Sequence, residues 1–228
     1  MRALHADGYN VLIGGVSVSA AQILVEQIDP SGERVVACAL DVREQNQFEA
    51  ALDFMLQRWG TVQVVVNNAG VTAAKPSLEI TPEEFDAVLA VNLRGTFIGC
   101  QVFGRHFKAK GHGRIINMAS LAGQNGGTAT GAHYAASKGG ILTLTKVFAR
   151  DLGPFGVTVN AVAPGPLESP AVRRTVSPEK LAQLIEGIPV GALGDPHYIA
   201  ELVVSLASVR SAFVNGATWD VNGGLFMR

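Results

Sequence analysis

Cysteine is nearly absent from this sequence of 228 residues, where Cys38 and Cys100 are the only two. Two thiols cannot make a disulfide framework, which excludes a small cross-linked scaffold and points to free, buried thiols in a reducing compartment. Charged residues are sparse at 16%, and neither sign dominates: 18 Lys and Arg stand against 19 Asp and Glu, for a net charge of −1. No basic tail or stripe is present, which argues against nucleic acid or an anionic membrane as a partner. No uninterrupted apolar run approaches the ~18 residues of a membrane span. The opening MRALHADG is too polar and too charged for a signal peptide, so a cytoplasmic protein is the default. The histidines His5, His106, His112, His133 and His197 form no metal-binding spacing with cysteine or acids. Internal repeats and low-complexity segments are missing too, and with them any sign of a second domain.

What the chain does have is apolar residues (48%) and 26 glycines, the composition of a tightly turned α/β protein with buried parallel strands. Its length fits a single domain over residues 1–228. Short β-branched runs predict strands at Tyr9–Ile13, Arg34–Ala39, Val62–Val66, Arg114–Met118, Val157–Val162 and Thr218–Val221. Amphipathic stretches between them predict helices near Ser17–Ile28, Glu44–Trp59, Pro82–Lys110, Ala132–Leu152, Pro178–Glu186 and Pro196–Ser208. That alternation argues for βαβ units and a parallel sheet. Start signals support three helices: Thr81-Pro82-Glu83-Glu84 is the strongest, Ser177-Pro178-Glu179 repeats it, and Asp195-Pro196 does so more weakly. The stretch 165–177, rich in Pro, Ser and Arg, predicts a mobile loop.

Three segments carry candidate chemistry. In YAASK, helical spacing puts Tyr134 and Lys138 on one face. A free phenol titrates near ~10, too high for efficient acid–base work at neutral pH, and a neighbouring ammonium favours the phenolate. Such a tyrosine can give a proton to a carbonyl oxygen, or take one from an alcohol, as hydride moves. Ser120 follows the apolar run RIINMA, at the carboxyl end of a predicted strand, where open α/β sheets bind ligands. Its hydroxyl can donate to a substrate oxygen. Asn92 sits in a long predicted helix that it otherwise weakens. Taken singly each has a plain reading: surface residues on a helix, a turn serine, a polar helix position.

The order and spacing of the segments resemble the short-chain dehydrogenase/reductase family from about residue 8 to the C-terminus. VVVNNAG, AVNLRGTF, IINMASLAG, YAASK, NAVAPGPLES and GATWDVNGG are similar to six of its motifs in sequence order. HGRIINMAS and the ending VNGGLFM look most like its 3-oxoacyl-acyl-carrier-protein reductases. The resemblance implies a doubly wound, Rossmann-like parallel sheet and a reversible ketone–alcohol interconversion with a nicotinamide cofactor. It implies Tyr134 as acid–base residue and Ser120 as the group orienting the substrate carbonyl. Lys138 would hold the nicotinamide ribose and favour the phenolate, and Asn92 would support a proton relay through water. Cofactor contacts would come from Tyr134 and Lys138 themselves and from Asp41 and Val42 at adenine. Asn68, Ala69 and Gly70 would lie along adenosine, while Pro164, Gly165 and Leu167 would flank nicotinamide. Ser169 stands where the family usually has threonine. The helices Pro82–Lys110 and Ala132–Leu152 would pair across a dimer interface within a homotetramer or homodimer. The substrate would be a small carbonyl or alcohol; His133 could touch it, and Arg173 and Arg174 could meet a phosphopantetheine or carrier-protein acid.

Two departures stand out. Gly15 occupies the place of an acid that would bind the ribose hydroxyls of NAD, and Val16 replaces an arginine that would receive a 2′-phosphate. The choice between NAD and NADP stays open, with the missing acid and the reductase-like ending leaning to NADP. The family also begins with a strand and a T-G-x-x-x-G-x-G turn facing the pyrophosphate. Here VLIGGVSVSAAQILV lacks the later glycines and aligns with the second strand, so MRALHADG corresponds to the tail of the first helix. The first strand is then expected to be missing or replaced, leaving two interior edges. Met1 as an internal methionine, re-pairing of the flanking strands or of subunits, and a short relative without redox activity are the competing explanations. The last would be a non-catalytic oligomeric scaffold.

Overall fold

A computed structural model describes every residue except 73, 128–129, 170–171 and 173–176, so Arg173 and Arg174 lie outside the described residues. Among the described residues, six parallel strands form two sheets. Strands β1 (Val11–Gly15) and β2 (Val35–Ala39) pair only with each other, while β3 (Val64–Asn67), β4 (Gly113–Met118), β5 (Val157–Pro164) and β6 (Thr218–Val221) form the larger sheet in that order. The predicted strands agree to within two residues at each end.

The helices are α1 (Arg2–Ala6), α2 (Val18–Ile28), α3 (Gln45–Trp59), α4 (Pro82–Leu89), α5 (Gly95–Lys110), α6 (Ala122–Asn125), α7 (Ala132–Leu152), α8 (Pro178–Glu186) and α9 (Pro196–Ala207). The stretch expected as one helix over Pro82–Lys110 is α4 and α5 joined by a π-helical turn at Ala90–Arg94. Its start is fixed by a full capping box: Thr81 accepts from the Glu84 amide, and the Glu84 carboxylate accepts from the Thr81 amide. By length and hydropathy this is the one described stretch suited to crossing a membrane, yet 56% of its apolar window is buried inside the protein.

Burial explains the larger sheet's solidity. Phe48, Leu52, Phe103, Phe107, Ile115, Leu152, Val157 and Val159 form one core between α3, α5, α7 and the sheet. On the other face, Ile116 and Val162 pack under Ile199, Leu202, Val203 and Leu206 of α9. The smaller sheet has its own modest core, where Val11, Ile13 and Val35 meet Ala21 and Val25 of α2. Leu4 and Tyr9 touch both this core and the one under α9, and so tie the two parts together.

Between β1 and β3 lies a slot of about 900 Å³, lined by Val11–Gly14 on one side and Val62–Ala69 on the other. Re-pairing of these strands, one of the expectations above, does not occur; their facing edges stay unpaired. Phe48, Met55, Phe103, Ile199 and Val203 complete the apolar walls. At the end where β4 begins, the buried Arg114 donates to the carbonyls of Gly113 (2.9 Å) and Ser208 (3.3 Å).

Candidate functional site

The strands of the larger sheet are parallel, so the carboxyl ends of β3, β4 and β5 share one rim. The loops leaving that rim carry Asn68–Gly70, Ser120 and Pro164–Ser169. Open α/β sheets bind ligands at this rim. Over it stands the first turn of α7, with Tyr134 and, one turn later, Lys138.

Lys138 is 5% exposed, and its Nζ donates to the Met118 carbonyl at 2.7 Å, at the end of β4. The ammonium also lies 5.7 Å from the centre of the Tyr134 ring. Burial pushes its pKa down to about 8, because the charged form loses water. Ser120 follows β4 by two residues. Its Oγ accepts from the Ala122 amide at 3.2 Å, which starts α6 and leaves the hydroxyl hydrogen free to donate. What holds α6 against Lys138 is a close approach at Gly123: a Cβ there would lie 2.5 Å from the Lys138 carbonyl carbon.

Asn92 is fully buried within the π-helical turn, a distortion often found at functional positions. Its Oδ1 accepts from the Val71 amide at 2.8 Å, and its Nδ2 donates to the Val71 carbonyl and to Ser137 Oγ at 3.0 and 3.1 Å. Ser137 in turn donates to the Tyr134 carbonyl at 2.7 Å. The loop after β3 is thereby fastened to the helix that bears Tyr134 and Lys138. Gly70 lies at the junction, and a Cβ there would stand 3.3 Å from Asn92 Oδ1 and 3.6 Å from Lys138 Nζ. Below the rim, Asn67, Asn117 and Thr145 form a buried ladder, with Asn67 Nδ2 donating to Asn117 Oδ1 (2.8 Å) and Asn117 Nδ2 to Thr145 Oγ1 (3.0 Å).

The other predicted residues divide between the two sheets. Pro164 and Gly165 end β5, where the Gly165 amide donates to the Val221 carbonyl at 2.8 Å. Leu167 bridges to Gly194, and Ser169 Oγ accepts from the Val172 amide. Asn68 and Ala69 stand at the mouth of the slot. Asp41 and Val42 lie across it, just past β2; the Asp41 carboxylate is paired with Arg43, which holds its pKa near 2. Structure therefore brings Asn92, Ser120, Tyr134, Lys138 and Gly70 to one rim, while Asp41 lies just past β2 and Val42 packs closely on Gly95, directly after the π-helical turn that carries Asn92.

For a dinucleotide the fit is uneven. At one end Gly70 keeps side-chain bulk away from Asn92 Oδ1 and Lys138 Nζ, and at the other Val42 lines the slot just past β2. Between these ends the slot mouth is lined by Gly14, Leu40, Val42 and Asn67–Ala69, with no glycine-rich turn and no cationic side chain of a described residue to hold a diphosphate.

Sequence reasoning passed over one residue of the cluster, Ser137, which gives a weak signal, since a serine inside a helix usually bonds back to a carbonyl. His133, expected as a possible substrate contact, is 2% exposed.

Comparison with known proteins bears on the fold and the family. Residues 1–226 match the family model described as enoyl-(acyl carrier protein) reductase. An uncharacterised short-chain type dehydrogenase/reductase of Sinorhizobium fredii is 37% identical over 224 residues, 97% of this chain and 88% of that protein. The 3-oxoacyl-[acyl-carrier-protein] reductase FabG of Vibrio cholerae is 36% identical over 98% of this chain and 90% of its own length. Among solved structures, a putative gluconate dehydrogenase from Agrobacterium tumefaciens superposes with a TM-score of 0.91 at 28% identity, covering 98% of this chain and 88% of that one. A short chain dehydrogenase from Bacillus anthracis gives a TM-score of 0.88 at 28% identity, covering 100% and 91%. These likenesses favour an enzyme over the non-catalytic scaffold.

Proposed function

Since the chain belongs to the short-chain dehydrogenase/reductase family, NAD(P)-dependent oxidoreductases of carbonyls and alcohols, we propose that it reversibly reduces a 3-oxoacyl group or similar ketone, with Tyr134 as acid–base residue. The observation that carries this reading is the cluster in which Lys138 is buried beside the Tyr134 ring and pinned to the end of β4, two residues from Ser120.

The bound cofactor supplies the hydride. Ser120 donates its hydroxyl hydrogen to the substrate carbonyl oxygen, which polarises it and fixes its direction. Tyr134 gives its proton to the same oxygen as negative charge develops there, and the nearby ammonium of Lys138 stabilises the phenolate left behind. In alcohol oxidation the same groups run in reverse. Asn92 supports a proton relay in which water returns the proton from solvent. Asn92 also braces the backbone of the whole group.

Pro164, Gly165, Leu167 and Ser169 border the nicotinamide in this reading, Asn68, Ala69 and Gly70 follow the adenosine, and Asp41 with Val42 meets adenine. NADP is the preferred cofactor, because Gly15 presents no carboxylate to ribose hydroxyls. The protein acts in the cytoplasm as a homodimer or homotetramer. Exposed apolar side chains support the assembly: Phe97 on α5 and Val147 on α7, and, separately, Phe213 and Met227.

Initial rates with NADPH and with NADH, on a short 3-oxoacyl thioester and on a plain ketone, test the proposal. A higher kcat/KM for the thioester with NADPH is expected. Turnover of the plain ketone alone would move the substrate class elsewhere, and no turnover of either with either cofactor would overturn the reading.

A further inference from the structure

The first turn of a helix leaves amide hydrogens without intrahelical acceptors, and a side chain at the N-cap usually supplies one. The N-cap of α7 is Gly131, which has no side chain to offer. Tyr134 is the third residue of that turn, and its amide would be left bare. Instead it donates to Nδ1 of His133 at 2.9 Å, from the residue just before it. The imidazole is 2% exposed, and glycine at 131 makes its position possible: a Cβ there would lie 2.4 Å from His133 Cε1 and 2.7 Å from Nδ1. Glycine and histidine thus act as a pair, one vacating the cap and the other filling it.

We propose that His133 is a positioning residue for Tyr134, holding the backbone from which the phenol projects through an imidazole that must be unprotonated at Nδ1. The inference rests on the reading of Tyr134 as acid–base residue. Tyr134 is then held on both sides, by His133 at its amide and by Ser137 at its carbonyl. An acceptor at Nδ1 requires the neutral ring with its proton on Nε2. When the ring gains a second proton, Nδ1 becomes a donor facing another donor, and the contact is lost. On α4 the Glu84 carboxylate is ion-paired with Lys75 at 2.7 Å, and that contact is the main reason its pKa is lowered, with His133 a lesser contributor. Release of the amide frees the first turn of α7 and moves the phenol. Misplacing a reacting group by about 1 Å can cost on the order of a hundredfold in rate.

The test is the pH profile of kcat for wild type, His133→Leu, His133→Asn and Tyr134→Phe. Leucine fills the space without an acceptor, and kcat is expected to fall about ten- to a hundredfold at neutral pH with KM little changed. Asparagine places Oδ1 near the position of Nδ1 and cannot gain a proton in this range. It should recover most of the lost rate and lack the acid limb expected of the wild type. A Leu variant with wild-type kcat, or an Asn variant that keeps the acid limb or is as slow as Leu, overturns the proposal. If the Leu variant does not fold, the profile of the Asn variant decides alone. Tyr134→Phe separates the two levels: full activity there sinks the acid–base reading, whereas a dead Phe variant beside unaffected His133 variants sinks only this inference.

Discussion

Strands β4 and β5 are buried along nearly their whole length between α5, α7 and α9, whereas β1 and β2 lean mainly on α2, across a slot from the rest. The proposed reacting groups all stand on the first of these regions. Asn92, Tyr134 and Lys138 are tied through Val71, Ser137 and Met118, and Ser120 follows Met118 by two residues. The far end of a dinucleotide would rest on the second. Groups that must hold sub-ångström geometry thus sit where local opening is rarest, and the slot edge sits where opening is easiest.

The largest effect should come from the reacting group itself. Tyr134→Phe is expected to lower kcat by about 10²–10⁴-fold while leaving thermal unfolding unchanged, since a lost general acid costs that much. A valine scan then compares the two regions. Gly123→Val would drive a side chain into the Lys138 backbone, separating Ser120 from Lys138 and costing about 1–3 kcal/mol of stability by overpacking. Gly15→Val, on β1, meets nothing within 4 Å. It should change stability by less than about 0.5 kcal/mol, as surface substitutions do. Equal losses at the two positions would break the comparison.

Much of this division was legible in the sequence. The strands come from β-branched runs, and Tyr134, Lys138 and Ser120 from spacing and strand ends. The Thr81 capping box was half visible as an N-cap, a proline and acids, and the structure completes it with the Glu84 bond. Three features were not legible, each for a physical reason. The π-helical turn at Ala90–Arg94 adds a residue per turn without breaking the apolar pattern. Helix α6 spans four residues, too short to show a period. His133 acts on the neighbouring backbone, and only the absent side chain of Gly131 makes that possible. The open slot, by contrast, was legible, because the expected absence of the first strand leaves two interior edges, and these are the facing edges of β1 and β3.

A smaller effect, of opposite sign, tests the cost of building the reactive end. Lys138 is buried, and its pKa falls from 10.5 to about 8, so folding favours the neutral amine. In the unfolded chain the amine stays protonated up to about 10.5. The penalty is therefore fully present below pH 8 and is relieved as pH rises from about 8 towards 10.5. Lys138→Met should then stabilise the protein at pH 7 by at most about 3 kcal/mol, a gain that shrinks over that window, while reductase activity is lost. Urea unfolding at pH 7 and pH 10 would show it; a destabilised variant at pH 7 would mean the ammonium is held favourably after all. Within the same picture, wild-type reduction should slow above about pH 8, as the charge that favours the phenolate is lost.

Native-state hydrogen exchange tests the contrast most directly. Amides of Val11–Gly15 and Val35–Ala39 should exchange at least about tenfold faster than those of Ile115–Met118 and Val157–Val162, corresponding to a local opening roughly 1.4 kcal/mol or more below global unfolding. Equal protection across both sheets would contradict the account, because the two regions would then open as one.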